Sequence, residues 1–172
     1  MGGMPYIVRI EFLAKDVPEI VKTSILTFLK TYDFPYVSSV QNKSKLRDLF
    51  IDHFTNRRSL DSLVSAIKNI ASKPQYATSV AWTETNRIHT AGLANVLKSK
   101  DQTKCKVIHT YGETSMSSAC RVNLEGKILD IDTVLKNTFP ASRTDILKTD
   151  VPMIPQHVNC RHVMSPIDGF EL

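Results

Sequence analysis

The sequence predicts an α+β fold in which a helical N-terminal and central part precedes a small, loop-rich antiparallel β part. Apolar residues recur at helical spacing between residues 20 and 97, whereas after Lys100 they form short runs rich in β-branched residues. Prolines then interrupt the remainder from Lys136 onward and exclude long helices and central strands there. No apolar run approaches the about 20 residues that a transmembrane helix needs.

The N-terminal part is the hardest to assign. Residues 5–13 are rich in β-branched and aromatic types, which predicts a short strand or an arm. Asp16 is expected to cap a helix that extends to about Thr31 and ends at residues 33–35. Residues 1–40 therefore stay an unassigned arm and helix, and a second unit spans residues 41–172.

Three more helices are predicted in the central part. The first opens at Asn42 or Ser44, and the second carries one apolar stripe over residues 60–70. The third is long and alanine-rich, over residues 76–98. Its composition predicts close packing against a neighbouring helix.

The predicted β part follows in residues 105–166. Residues 106–111 have the composition of a strand. Residues 121–124 and 127–131 flank Glu125 and Gly126, which predicts a hairpin.

Positive charge is concentrated on the central helices. The chain has a net charge of +5, and its residues 40–106 contain 12 Lys/Arg against 5 Asp/Glu. Such a segment favours an acidic partner, and double-stranded DNA contacted through its phosphates is one candidate. The candidate contact residues are Lys43, Lys45, Arg47, Arg57 and Arg58.

One carboxylate stands among residues whose spacing predicts burial. Glu84 lies in the middle of the long predicted helix, with Arg87 at i+3 and His89 nearby. A buried carboxylate must be paired or neutralised. The alternative is a solvent-facing Glu84 beside Arg87, and the sequence leaves both interpretations open.

A cluster of soft donors lies near the C-terminal end. His157, Cys160 and His162 fall within six positions, and Cys120 precedes the predicted turn. Zinc prefers four nitrogen or sulfur ligands in a tetrahedron, so these four residues predict a zinc site. The alternative is a loop histidine with inert thiols. The three cysteines are an odd number, which indicates a reducing compartment, and Cys105 is interpreted as an incidental thiol.

Three blocks of the sequence resemble the phage Mu F-like head morphogenesis family, also called minor head or minor capsid proteins. Residues 80–87, with Ala91 and Gly92, resemble its I-A-R-T-E-T-x-R helix and later A-G. Residues 106–120 resemble its K-x-W-x-T-x-x-D-x-R-x-C-x-x-C block, and residues 155–162 its P-x-H-x-N-C-R-C block. The structural motif residues are Thr83, Glu84, Arg87, Thr110, Glu113 and Gly126.

The chain departs from this pattern at several positions. Ile108 replaces the aromatic residue, Ser115 the arginine and Ser117 the first cysteine, while His162 replaces the final cysteine. If the family's cysteines and histidine hold a metal, one ligand is lost here and another exchanged. The blocks cover a little over half of the chain.

The resemblance implies a virion component inside the capsid that associates with the portal protein and other capsid components, after assembly in the host cytoplasm. Two alternatives stay open. One is a toxin-like enzyme, an RNase or ADP-ribosyltransferase related to Mu F-associated effectors, for which the sequence offers His89, His109, Thr110, Glu113 and Ser115 without fixing a geometry. The other is a non-specific DNA-binding module.

Overall fold

The computed structural model describes residues 10, 13–109, 124–135, 154–155, 160 and 162–172. It confirms the predicted α+β class, with the helices first and a three-stranded antiparallel sheet after them. The helices are α1 Leu13–Asp16, α2 Glu19–Leu29, α3 Lys43–Thr55, α4 Leu60–Ile70, α5 Ala77–Ser99 and α6 Ile131–Val134. The strands are β1 Lys104–His109, β2 Ile128–Asp130 and β3 His162–Ser165.

Local capping determines where two of the helices begin. The side chain of Asn42 accepts a hydrogen bond from the backbone N–H of Lys45 at 3.1 Å, which confirms the predicted start of α3. Ser59 caps α4 in the same way. The start of α2 differs from the prediction, because Asp16 ends α1 and Pro18 precedes α2 without a side-chain cap. The fixed φ of proline already suits a helix entry, and proline has no N–H to satisfy.

The sheet has the order β2-β1-β3, so β1 is its central strand. Strand β2 pairs with β1, with Cys105 opposite Leu129. The sequence predicts a hairpin between residues 121–124 and 127–131, and it does not predict this pairing with β1. Leu124 lies in a helical turn, and residues 121–123 lie outside the described residues. Strand β3 pairs with β1 further along, with His109 opposite His162.

Helix α5 lies at the centre of the core, and α2 packs closely on it. Val21, Ile25 and Leu29 of α2 are fully buried, so the N-terminal segment from residue 13 onward belongs to the same core. The contact is tightest at Gly92, where a Cβ atom would overlap Ile25 Cγ1 and lie 3.1 Å from the backbone nitrogen of Ile25. Ser24 Oγ also donates a hydrogen bond to the Gly92 carbonyl at 2.8 Å.

Among the described residues, no helix has both the length and the apolar character that crossing a bilayer requires.

We expect Gly92→Ala to destabilise the protein by about 1–3 kcal/mol, because the added methyl group overpacks the contact with Ile25. At an ordinary helix position the same change is stabilising. The control is Asn95→Ala on the exposed side of α5, which we expect to preserve or raise stability. Urea unfolding of both variants measures the difference, and a Gly92→Ala protein as stable as the wild type would contradict this packing.

Candidate functional site

The middle of α5 is buried although much of it is polar. Seven polar or charged residues of α5 are at most 8% exposed, namely Thr83, Glu84, Thr85, Asn86, Arg87, His89 and Thr90. A helix at the surface of a globular protein normally keeps such residues on a solvated face. Buried polar groups require partners, so the elements packed around α5 must supply them.

Glu84 lies in the interior, as the first interpretation of the sequence predicts. Tyr32 donates its hydroxyl hydrogen to Glu84 Oε2 at 2.5 Å. Arg87 Nε lies 3.5 Å from Glu84 Oε1, and the two side chains of this ion pair are only 4% and 3% exposed. Burial, together with the negative charge of Glu84, raises the pKa of Tyr32, so the tyrosine is a hydrogen donor throughout the physiological pH range.

Two half-buried side chains extend this group of charges toward the surface. The guanidinium carbon of Arg87 lies 4.8 Å from the ring centre of Tyr36, a cation–π geometry. Lys43 Nζ is buried without a hydrogen-bond partner among the described residues. Desolvation lowers the pKa of Lys43, although the charges of Glu84 and Asp33 oppose the shift. We call Tyr32, Tyr36, Lys43, Glu84 and Arg87 the charge cluster.

Arg47 and Arg57, two of the proposed phosphate contacts, are bound to the protein's own backbone. Arg47 donates two hydrogen bonds to the Tyr32 carbonyl, at 3.2 and 2.9 Å. Arg57 donates to the carbonyls of Lys15 and Val17, at 3.0 and 2.8 Å, and so ties the end of α3 to the segment before α2.

The other three proposed phosphate contacts differ in how accessible their charged groups are to a phosphate. Arg58 forms an ion pair with Asp52 at 3.2 Å. Lys43 belongs to the charge cluster, with its Nζ buried. Lys45 is exposed at the start of α3. The structure therefore leaves Lys45 as the member of this set most available to a phosphate.

A second polar group joins α5 to the sheet. Asn86 Nδ2 donates to the carbonyls of Cys160 and His162, at 3.2 and 2.9 Å. Thr90 Oγ1 lies 3.4 Å from Asn86 Oδ1, which helps to hold the amide in this orientation. Asn86 thereby connects the first and the third block of the resemblance, through residues that are 74 and 76 positions apart in the chain.

The predicted zinc ligands are only partly described. Cys160 and His162 are fully buried, and His162 is the first residue of β3. Cys120 and His157 lie outside the described residues, as do Thr110, Glu113 and Ser115 of the motif and enzyme hypotheses. Within the described part of the chain, no group of three or more His, Cys, Asp or Glu residues is arranged to hold a metal ion. The four-ligand zinc site therefore stays a prediction.

Cys105 and Gly126 have local structural roles. Cys105 is buried in β1, where its thiol contacts the Leu129 carbonyl and burial raises its pKa to about 12. Such a thiol is protonated and unreactive at neutral pH. Gly126 adopts a φ of +71° in the turn before β2, a conformation that favours glycine.

Two contacts have no local signal in the sequence. Tyr32 is a partner of Glu84, and the ring centre of His109 lies 5.0 Å from that of His162. Tyr32 is 52 residues from Glu84, and no local pattern indicates such a contact. The histidine pair depends on the register of β1 and β3, which the sequence does not specify.

Comparison of the chain with protein-family models, with curated proteins and with solved structures finds no match.

Removing the buried carboxylate should destabilise the fold strongly. We expect Glu84→Ala to cost about 3–5 kcal/mol, because it leaves the Arg87 charge buried without its partner. Tyr32→Phe should cost about 1–3 kcal/mol, since it leaves a carboxylate oxygen without its donor. Glu19→Ala, which breaks exposed ion pairs, is the matched control and should have little effect. Urea unfolding measures all three, and a Glu84→Ala protein of wild-type stability would exclude the buried pair.

Stability should fall as the pH is lowered below 6.5. Burial lowers the pKa of His53 to about 4 and that of His89 to about 3, so the unfolded chain binds protons that the folded chain excludes. The contribution of the two buried histidines to the free energy of unfolding is complete above pH 6.5. As the pH falls toward 4, each histidine loses up to about 1.4 kcal/mol of it per pH unit.

Urea unfolding between pH 7.5 and 4.5 measures this slope. His53 has no hydrogen-bond partner for either ring nitrogen within the described part of the chain, so His53→Phe should reduce the slope whatever its effect on total stability. An unchanged slope in that variant would show that His53 takes up protons in the folded state.

Proposed function

We propose that this chain is a minor head, or head morphogenesis, protein of a phage, associated with the portal protein inside the capsid. The observation that supports the proposal is the junction between α5 and β3. Asn86 lies in the T-E-T-x-R block and donates to the carbonyls of Cys160 and His162 in the closing block. Residues that resemble one family at two distant places in the sequence thus contact each other in the fold.

The positions of the motif side chains favour a structural role for them. Glu84 and Arg87 form a buried pair, and Gly92 provides the close approach of α2 to α5. His89, a candidate base of the enzyme hypothesis, is fully buried. These residues stabilise the helical core, which favours a structural role for them.

The proposal includes contact with the phosphates of packaged DNA. The positive charge of the central segment supports it, but Arg47 and Arg57 donate to backbone carbonyls and Arg58 to a carboxylate. DNA contact would therefore depend on Lys45 and other exposed lysines. The zinc site of Cys120, His157, Cys160 and His162 is not part of this proposal and stays a prediction from the donor set and the resemblance.

The proposal is tested by searching for this chain, by mass spectrometry, in purified particles of the phage that encodes it. We expect a few copies in procapsids and in DNA-filled heads, and retention of the chain with the portal protein when capsids are disrupted. The control is particles from a phage with a stop codon early in this reading frame. Absence of the chain from wild-type particles would refute the proposal.

A parallel assay addresses the enzyme alternative. We expect the purified protein to leave both RNA and NAD intact over hours at neutral pH. Consumption of either by the wild type, but not by His109→Ala, would favour the toxin-like enzyme instead.

A further inference from the structure

We propose that His109 and His162 together form a binding site for zinc or a similar divalent transition metal, with two imidazole ligands from neighbouring strands. This site differs from the four-residue set that the sequence predicts, since it includes His109 and needs neither Cys120 nor His157. It is also independent of the proposed role in the virion.

The strand register places the two histidines together. His109 is the last residue of β1 and His162 the first residue of β3, and they are direct antiparallel partners. Side chains of directly opposed residues lie on the same face of a sheet. Here that is the face of Cys105 and Val107, which are fully buried, so the pair lies at the edge of the core.

The distance between the rings fits a shared metal ion. Imidazole nitrogens bind zinc at about 2.0–2.1 Å, so at a tetrahedral angle two ligand rings have centres about 5.2 Å apart. The ring centres of His109 and His162 are 5.0 Å apart, and their planes are inclined at 48°. Small rotations about the side-chain bonds would direct one nitrogen of each ring to a common point.

The backbone at the site is held from the other side. Asn86 donates to the His162 carbonyl at 2.9 Å and to the Cys160 carbonyl at 3.2 Å. These bonds anchor the beginning of β3, where the proposed ligand His162 lies, to α5. These contacts fix the backbone position from which the His162 imidazole projects. His162 is fully buried and His109 half-buried, so a metal ion would reach the pair from the side of His109.

The ligand set determines the class of metal. Two neutral imidazoles suit zinc, copper and nickel, whereas magnesium and calcium prefer oxygen ligands. Two protein ligands leave coordination positions of the metal to other donors, and among the described residues no third His, Cys, Asp or Glu is grouped with the pair. A metal held by two imidazoles should exchange readily, and a chelator should remove it while the protein stays folded.

The test is zinc titration of chelator-treated protein, followed by X-ray absorption at the zinc edge. We expect one equivalent of zinc, bound by two imidazole nitrogens and light atoms with no sulfur. Because losing an outer contact alone costs about 10–100-fold in metal affinity, His109→Gln should weaken binding by about 100-fold or more. The matched controls Cys120→Ser and His157→Gln should retain wild-type affinity.

Three outcomes would overturn the proposal: no zinc bound by the wild type, sulfur among the ligands, or wild-type affinity in His109→Gln. Circular dichroism of each metal-free variant shows whether it is folded. The absorption spectrum of the wild type counts imidazole ligands without any substitution, so a variant that fails to fold does not leave the question open.

Discussion

The fold depends on placing one carboxylate inside the protein. Glu84 lies in the middle of α5 with its side chain 3% exposed, and a charge in that position must be compensated from nearby. Arg87 compensates it from the next turn of the helix, and Tyr32 from the segment after α2. Since Tyr32 must reach Glu84, the chain between α2 and α3 is held over α5, and Arg47 secures the same segment through the Tyr32 carbonyl. The hydrogen bonds around a single side chain thus add to the apolar packing that holds three helices together.

Features determined by neighbouring residues were predictable from the sequence. The cap at Asn42, the apolar stripe of α4 and the length of α5 all depend on local chemistry, and the structure has them within a few residues of the expected positions. The burial of Glu84 could be suggested, because the surrounding pattern predicts an interior position, but its partner Tyr32 is 52 residues away. The pairing of β2 with β1 was missed for a related reason: a turn signal favours pairing of its own flanks, whereas the register of a sheet is a property of the whole core.

The sequence also does not show which of its basic side chains face solvent. Counting basic residues predicted a surface for phosphate, yet Arg57 adopts a left-handed backbone conformation, with a φ of 51°, and donates to two backbone carbonyls. An arginine that satisfies carbonyl groups at the ends of helices has the same formal charge as one that faces solvent. Composition therefore overstates the cationic surface of a small helical protein when its connections between helices are held by guanidinium groups.

The contacts of Asn86 also bear on the order in which the chain assembles during synthesis. The two carbonyls that it binds lie 74 and 76 residues downstream, whereas the helices that pack on the other sides of α5 precede it in the chain. When α5 leaves the ribosome, its contacts with α2 and α4 can form at once, but its face toward β3 has no partner until that strand is made. Nascent chains that stop in this interval leave the core without β3, and the apolar surface exposed in such incomplete states makes them prone to aggregation.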